Sequence, residues 1–248
     1  ESISSVIYWL ERKGYYIDFD RNGDDSVDRE TKIVSINTTR SEETQLYILL
    51  HECGHILVSE SDNLVKLLAA IRATLPKEAL LTTDIIAGSW LGEQYLPAIE
   101  KHVDFVNLMA FDFTGQWDGS PIDHHSNFKT FKQAIDYAIS RGFSKEKLLV
   151  GIPAYGKEFI NGKNAQVKDV SYSNAVKLAE QKGVKLSKGR IENIYFETQD
   201  NVIKKAKYIS KNNLPGIFLY EITSDHASPE LSLLQAASEE LNPRECYK

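Results

Sequence analysis

Two groups of residues in this 248-residue chain could do chemistry. The first lies in Leu49-Leu-His-Glu-Cys-Gly-His-Ile-Leu57, where His51 and His55 stand four positions apart. On a helix that spacing puts both imidazoles on one face about a turn apart, so they can share a zinc ion, and Glu52 beside them can take a proton from a metal-bound water. The second is a carboxylate at the end of an apolar run, in Val103-Asp-Phe-Val-Asn-Leu-Met-Ala-Phe-Asp-Phe-Thr-Gly115. The run reads as a strand buried on both sides, as in a parallel sheet covered by helices. At its end stands Asp112, followed by the polar stretch that carries Trp117. In α/β folds, chemistry sits where strands end.

The elements that must position these residues follow from periodicity and punctuation. Residues 4–13 read as a helix stopped by Gly14, 15–19 and 32–37 as strands, and Ser41 as the start of the helix that carries His51. Between the strands, Asp18, Asp20, Asn22 and Asp24 fall at the positions of a calcium loop, but Arg29 stands where that loop needs a bidentate Glu, so the segment reads as a solvated acidic turn. From residue 63 the texture changes to alternating helix and buried strand. Helices are expected at 64–75, 92–102, 128–141, 198–212 and 229–241, and strands at 80–87, 103–115, 148–156 and 216–222. A polar excursion at 157–193 contains one further helix at 173–182. This repeating unit predicts an α/β fold with a parallel sheet and right-handed crossovers. A boundary at 62–63 divides a small α+β segment, 1–62, from the remainder, 63–248.

The stretch from 32 to 57, a strand, a turn and the His-Glu-Cys-Gly-His helix, resembles small zinc-peptidase-like domains of the ImmA/IrrE type. That resemblance implies a metallopeptidase with His51 and His55 as metal ligands and Glu52 as its base. The family's third ligand has no clear counterpart beyond Ser59-Glu-Ser-Asp62.

The longer part, 63–241, resembles the C-terminal half of the chitinase barrel of glycoside hydrolase family 18. Three strand ends carry the likeness: Met109-Ala-Phe-Asp-Phe-Thr-Gly115, Gly151-Ile-Pro-Ala-Tyr-Gly156 and Gly216-Ile-Phe-Leu-Tyr-Glu-Ile222. The resemblance implies a half-barrel of the TIM type with four recognisable strands, and a site for chitooligosaccharides or related N-acetylated glycans that needs no cofactor. In the family's substrate-assisted hydrolysis the sugar's acetamido oxygen attacks the anomeric carbon and a protein acid protonates the leaving oxygen. Matched positions put Met109 and Asp112 beside the acetamido group, Tyr155 in the cleft wall and Tyr220 on the stacking floor, with Trp90 and Trp117 as further platforms for the apolar faces of sugar rings. The family's strand-six Tyr is Phe111 here, which keeps the packing and loses a hydroxyl donor. Its acidic strand-four signature, the source of the proton donor, has only a partial echo in Asp25-Ser-Val-Asp-Arg-Glu30. A lectin-like remnant that binds sugar without cleaving it is the corresponding non-enzymatic expectation, and the seam near 62 reads as a fusion. Four strands do not close a barrel, so the open edges are expected to be covered by the N-terminal segment, by a second copy or by a partner chain, or to leave the half-barrel only marginally stable.

Composition bounds the alternatives. With 42% hydrophobic and 26% charged residues the chain is ordinary globular material. A net charge of -6 argues against nucleic acid and anionic membranes as partners, and no apolar run approaches the roughly 20 residues of a membrane span. Cys53 and Cys246 alone exclude a disulfide framework and leave the compartment open. Glu1 in place of Met, with no signal-peptide pattern after it, reads as a processed or cut chain. The two-histidine reading is decided by metal analysis: it requires about one zinc per chain, lost on His51→Ala, and a metal-free protein ends it.

Overall fold

The computed structural model describes residues 3–20, 25–28, 30–39, 41, 44–45, 48–49, 61–163 and 165–242. It divides into two compact units, 1–75 with 94–99, and 76–93 with 100–248. The boundary read from sequence at 62 falls inside the first unit. His51, Glu52, Cys53 and His55 lie outside the described residues, as do Asn22, Gly23, Asp24 and Arg29 of the calcium-like segment.

In the first unit, helix α1 (Ile3–Arg12) leads through Gly14 into β1 (Tyr16–Asp20), β2 (Ser26–Asp28) and β3 (Ile33–Asn37). The sheet order is β1-β3-β2, with β1 parallel and β2 antiparallel to β3. Alternation in Ile33-Val-Ser-Ile-Asn37 turns Val34 and Ile36 inward, where they join Val6, Leu10, Ile17 and Leu49 in one core. Helix α2 (Ser61–Thr74) belongs to this unit and stops before Pro76, whose ring disfavours a helical residue ahead of it.

The second unit opens with β4 (Thr82–Ile86), β5 (Phe105–Met109), α3 (Phe128–Ser140) and β6 (Leu148–Pro153). It continues with β7 (Tyr155–Phe159), β8 (Val167–Ser171), α4 (Tyr172–Lys182), β9 (Arg190–Ile191), β10 (Ile194–Tyr195), α5 (Gln199–Lys211), β11 (Gly216–Tyr220) and α6 (Leu233–Leu241). Strands β4, β5, β6 and β11 lie side by side in chain order and are all parallel, the α/β half-barrel sheet. The starts of α3, α4, α5 and α6 are each satisfied by a side chain. Asn127 accepts from the amides of Lys129 and Thr130, Ser171 from Asn174, Thr198 from Asn201 and Ser232 from Gln235. Among the described residues no helix is long and apolar enough to cross a membrane.

Four local expectations are corrected. Strand β5 is not buried on both faces: Val106 and Leu108 are fully buried, but Phe105, Asn107 and Met109 are only partly so. Between Phe105 and Met109 that face carries one polar residue, Asn107, whose amide donates to Asp84 Oδ1 at 2.9 Å and to Thr82 Oγ1 at 3.3 Å on β4. The single helix expected over 92–102 is one turn, Ser89–Gly92, and a separate 3-10 turn, Pro97–Lys101, because Pro97 resists helical continuation through Leu96. The strand expected over 148–156 breaks at Ala154, whose N–H donates to Tyr220 O at 2.7 Å while its carbonyl accepts from Tyr172 N at 2.9 Å. Past that break, the polar excursion is a four-stranded antiparallel sheet, β8-β7-β10-β9, against α4, with Phe159, Tyr172 and Phe196 fully buried. Strands of two residues, such as β9 and β10, leave no periodicity to read. Asn127→Ala, which removes the acceptor at the start of α3, is expected to cost about 1 kcal/mol, measured as a lower urea midpoint at unchanged slope.

Candidate functional site

The chain leaves β5 at Met109 and reaches Asp112 three residues on in a left-handed conformation, φ 61°. A non-glycine residue there needs support, and the Asp112 N–H donates to His125 Nδ1 at 3.2 Å. The carboxylate oxygen Oδ1 accepts from Tyr155 Oη at 2.7 Å and pairs with Lys157 Nζ at 3.0 Å. Lys157 also reaches Asp169 Oδ1 at 3.0 Å and lies over the Tyr155 ring. His125 Nδ1 is 3.2 Å from the same Asp112 oxygen as well. The two short contacts of Nδ1 exclude one another, because one needs a lone pair and the other a proton. The Tyr155 carbonyl, 3.0 Å from Nε2, can only accept, so in the neutral ring Nε2 carries the hydrogen and Nδ1 serves the Asp112 amide.

These partners fix the charge states. Burial alone would push the Asp112 carboxyl up, but the Lys157 ammonium and the Tyr155 hydroxyl, both on Oδ1, outweigh it and hold the group below the usual carboxylate range. Burial and the neighbouring Asp112 carboxylate push the Tyr155 phenol far above its ordinary value. Burial opposes the Lys157 ammonium, yet Asp112 and Asp169 raise its pKa overall. At neutral pH the site therefore presents an anion, a phenolic hydrogen-bond donor and a cation.

Flat aromatic surface surrounds this polar group. The Phe111 ring, 7% exposed, stacks beneath Tyr220 with centroids 5.6 Å apart and planes at 24°. Tyr155 stands edge-on to Tyr220 at 6.2 Å. Asp112, Tyr155 and Tyr220 thus meet at one rim of the sheet, and Met109 lies half-buried at the end of β5 opposite Ile86. The peptide bond after Tyr220 is cis. A cleft of about 470 Å³ is lined by Trp90, Asp112, Phe113 and Trp117. Trp90 and Trp117 are 58% and 49% exposed, and Tyr220 is 53% exposed. Both indoles lie where the main chain has no side chain. A Cβ at Gly88 would fall 1.6 Å from the Trp90 ring, and one at Gly115 would fall 2.3 Å from the Trp117 ring. The loop carrying Trp117 is tied down by Phe113 N to His125 O at 3.0 Å, Gly115 N to Ser120 Oγ at 2.8 Å and Thr114 Oγ1 to Asp123 O at 2.9 Å.

Of the residues assigned to the C-terminal part from sequence, Trp90, Asp112 and Trp117 line the cleft, Phe111, Tyr155 and Tyr220 meet one another beside it, and Met109 ends β5 three residues before Asp112. Sequence reading missed Lys157, Asp169, His125, Gly88 and Gly115. Lys157 had a signal, since it follows Tyr155 by two positions on a strand and shares its face. Among the described residues no group of three His, Cys, Asp or Glu side chains could hold a metal ion.

Comparison with known proteins points in the same direction. The family model for glycosyl hydrolases family 18 matches residues 17–225, a span that crosses residue 62 and encloses His51 to His55. Chitinase-3-like protein 2 of Homo sapiens is 25% identical over 174 residues, covering 64% of this chain and 39% of that protein. Endochitinase 1 of Metarhizium robertsii is 28% identical over 179 residues, covering 59% of this chain and 42% of that protein. The chain therefore spans about two fifths of the length of these curated relatives. Among solved structures, the GH18 chitinase ChiB of Flavobacterium johnsoniae superposes with a TM-score of 0.62 at 25% identity, covering 74% of this chain and 55% of that one. A class V chitinase from Nicotiana tobaccum in complex with NAG4 gives 0.60 at 20% identity, covering 73% and 64%.

Replacing Lys157 by Met removes the cation that favours ionised Asp112, so the Asp112 carboxyl should titrate at a higher pH in the variant. Carboxyl carbon NMR followed against pH checks this, and an unmoved midpoint would show that Lys157 does not hold the charge.

Proposed function

Because the chain belongs to glycosyl hydrolases family 18, we propose that the cleft at the end of β5 binds chitooligosaccharides or closely related N-acetylated glycans. The observation that carries the reading is the Tyr155 to Asp112 hydrogen bond set among the exposed faces of Tyr220, Trp90 and Trp117. An acetamido group offers one N–H donor, one carbonyl acceptor and a methyl. Asp112 is an anionic acceptor for the first and Met109 an apolar neighbour for the third, while Tyr155, whose one hydrogen goes to Asp112 in the free site, would turn it to the carbonyl on binding. Pyranose rings present C–H faces that pack on indole and phenol rings. The tobacco class V chitinase, which shares the fold, is in complex with NAG4.

The same electrostatics bear on cleavage. Protonation of a leaving oxygen needs an acid whose pKa lies near the working pH, and a poised one is worth about 10²–10⁴ in rate. Asp112 is held ionised, and the Tyr155 phenol holds its proton too tightly to release it. The reading is therefore of a chitinase-like unit that binds sugar and, acting through these residues alone, does not hydrolyse it. The metallopeptidase alternative through His51, Glu52 and His55 rests on their spacing alone, within a stretch the family match encloses.

Titration with chitotetraose should change tryptophan fluorescence, and Trp90→Ala and Trp117→Ala should each weaken binding about tenfold. Asp112→Ala should abolish it. Absence of any binding heat or fluorescence change would refute the assignment. Turnover of a chromogenic chitobiose substrate is expected to be absent, and turnover that survives Asp112→Ala would place the chemistry elsewhere.

A further inference from the structure

Beneath the site lies a fully buried ion pair that the sugar-binding reading does not use. Lys205 on α5 and Glu197, just before that helix, are both 0% exposed. All three hydrogens of the Lys205 ammonium are engaged. One goes to Glu197 Oε2, one to Ser126 O at 2.6 Å and one to Ser126 Oγ at 2.9 Å. Glu197 is completed through Oε1, which accepts from Thr198 N at 3.0 Å and from Asn201 Nδ2 at 2.6 Å. Burial lowers the Lys205 pKa and would raise that of Glu197, but three acceptors around Nζ call for the ammonium form, and that ammonium with the other partners of Glu197 holds its carboxyl low.

Ser126 is the point at which the pair meets the site. Its hydroxyl donates to Ala110 O at 2.7 Å, two residues before Asp112, and its N–H donates to His124 Nδ1 at 2.9 Å. Burial lowers the His124 pKa to about 4, which keeps that nitrogen a lone-pair acceptor at neutral pH. The residue between them, His125, takes the Asp112 N–H on Nδ1 and faces Tyr155 O through Nε2. The carbonyl before the turn is thus held by Ser126, and the imidazole beside the turn belongs to the residue that precedes Ser126 in the chain; the polar atoms of Ser126 are all occupied.

We propose that the Lys205–Glu197 pair is a positioning device for Asp112, acting through Ser126 and His125 to hold the strained turn that aims the carboxylate at Tyr155 and Lys157. Neither member touches the cleft. Without the anchor, residues 124–126 lose their fixed place, the Asp112 amide loses its acceptor, and the side chain is free to leave its donors. The charged and titratable groups that face Asp112 are Tyr155, Lys157 and His125, with Asp169 acting through Lys157. The consequence for sugar binding rests on the preceding functional reading, but the effect on the carboxylate does not.

The test is the pH midpoint of the Asp112 carboxyl carbon, measured in the full chain without ligand. One variant is the double replacement Lys205→Met with Glu197→Leu, which leaves no lone buried charge. A second is Ser126→Ala, which cuts the link to Ala110 and takes one of the three acceptors of Lys205 while leaving its bond to Glu197. The control is Asp225→Ala, which removes the carboxylate that accepts from Leu233 N at 2.9 Å and Leu234 N at 3.0 Å at the start of α6. Both variants should raise the midpoint by about one pH unit or more, while the control lowers thermal stability and leaves it in place. An unmoved midpoint in the variants, or in Ser126→Ala alone if the double variant does not fold, overturns the proposal. Because no sugar enters this measurement, failure of chitotetraose to bind would defeat the functional reading and leave this result standing.

Discussion

The interaction on which the site depends is the crowding of donors around one oxygen of Asp112. A single carboxylate oxygen collects a phenol and an ammonium, while the residue's own N–H is spoken for by His125. Each partner comes from a different part of the fold: Tyr155 and Lys157 from the strand that opens the antiparallel sheet, and His125 from the loop before α3. The half-barrel sheet supplies the rim, and the second sheet supplies the charge that keeps the rim anionic. A barrel strand alone would present Asp112 to water with an ordinary carboxylate titration, able to gain a proton in mildly acidic solution. In its actual setting the group is a fixed acceptor.

That division explains which features were legible in the sequence. Strands β5, β6 and β11 announce themselves through largely apolar runs, β4 through the apolar residues that flank Thr82-Thr-Asp84, and the ends of β5, β6 and β11 carry residue types that resemble a known barrel. The helices are framed by Asn127, Ser171, Thr198 and Ser232 in front and by Gly183 behind α4, all readable as punctuation. The antiparallel sheet was read as a polar excursion because its strands are short and charged, and its core depends on Phe159, Tyr172 and Phe196 meeting across 38 residues of chain. Lys157 looks like a solvated surface lysine until Asp112 and Asp169 are seen on either side of it. The partly exposed face of β5 was missed for the opposite reason: Asn107 is one polar residue in an apolar run, and only its pairing with Thr82 and Asp84 marks that face.

The buried charges show a further separation between composition and role. A lysine and a glutamate with no exposure each carry a large desolvation penalty, which their mutual attraction offsets only when every remaining donor and acceptor is satisfied. Here that condition is met through Ser126, Thr198 and Asn201, three residues brought together by the start of α5 and the loop before α3. Such an arrangement specifies one geometry more sharply than apolar packing of the same volume, because any displacement leaves a charge without a partner.

The two indoles resting on bare main chain at Gly88 and Gly115 have a bearing on how a ligand would be chosen. A ring in contact with main chain on one side has fewer orientations open to it than one held only by side chains, which narrows its tilt before anything arrives. Recognition at such a surface favours molecules whose contour already matches over those that would require the receptor to adapt, and the ordering entropy otherwise lost on association is correspondingly small.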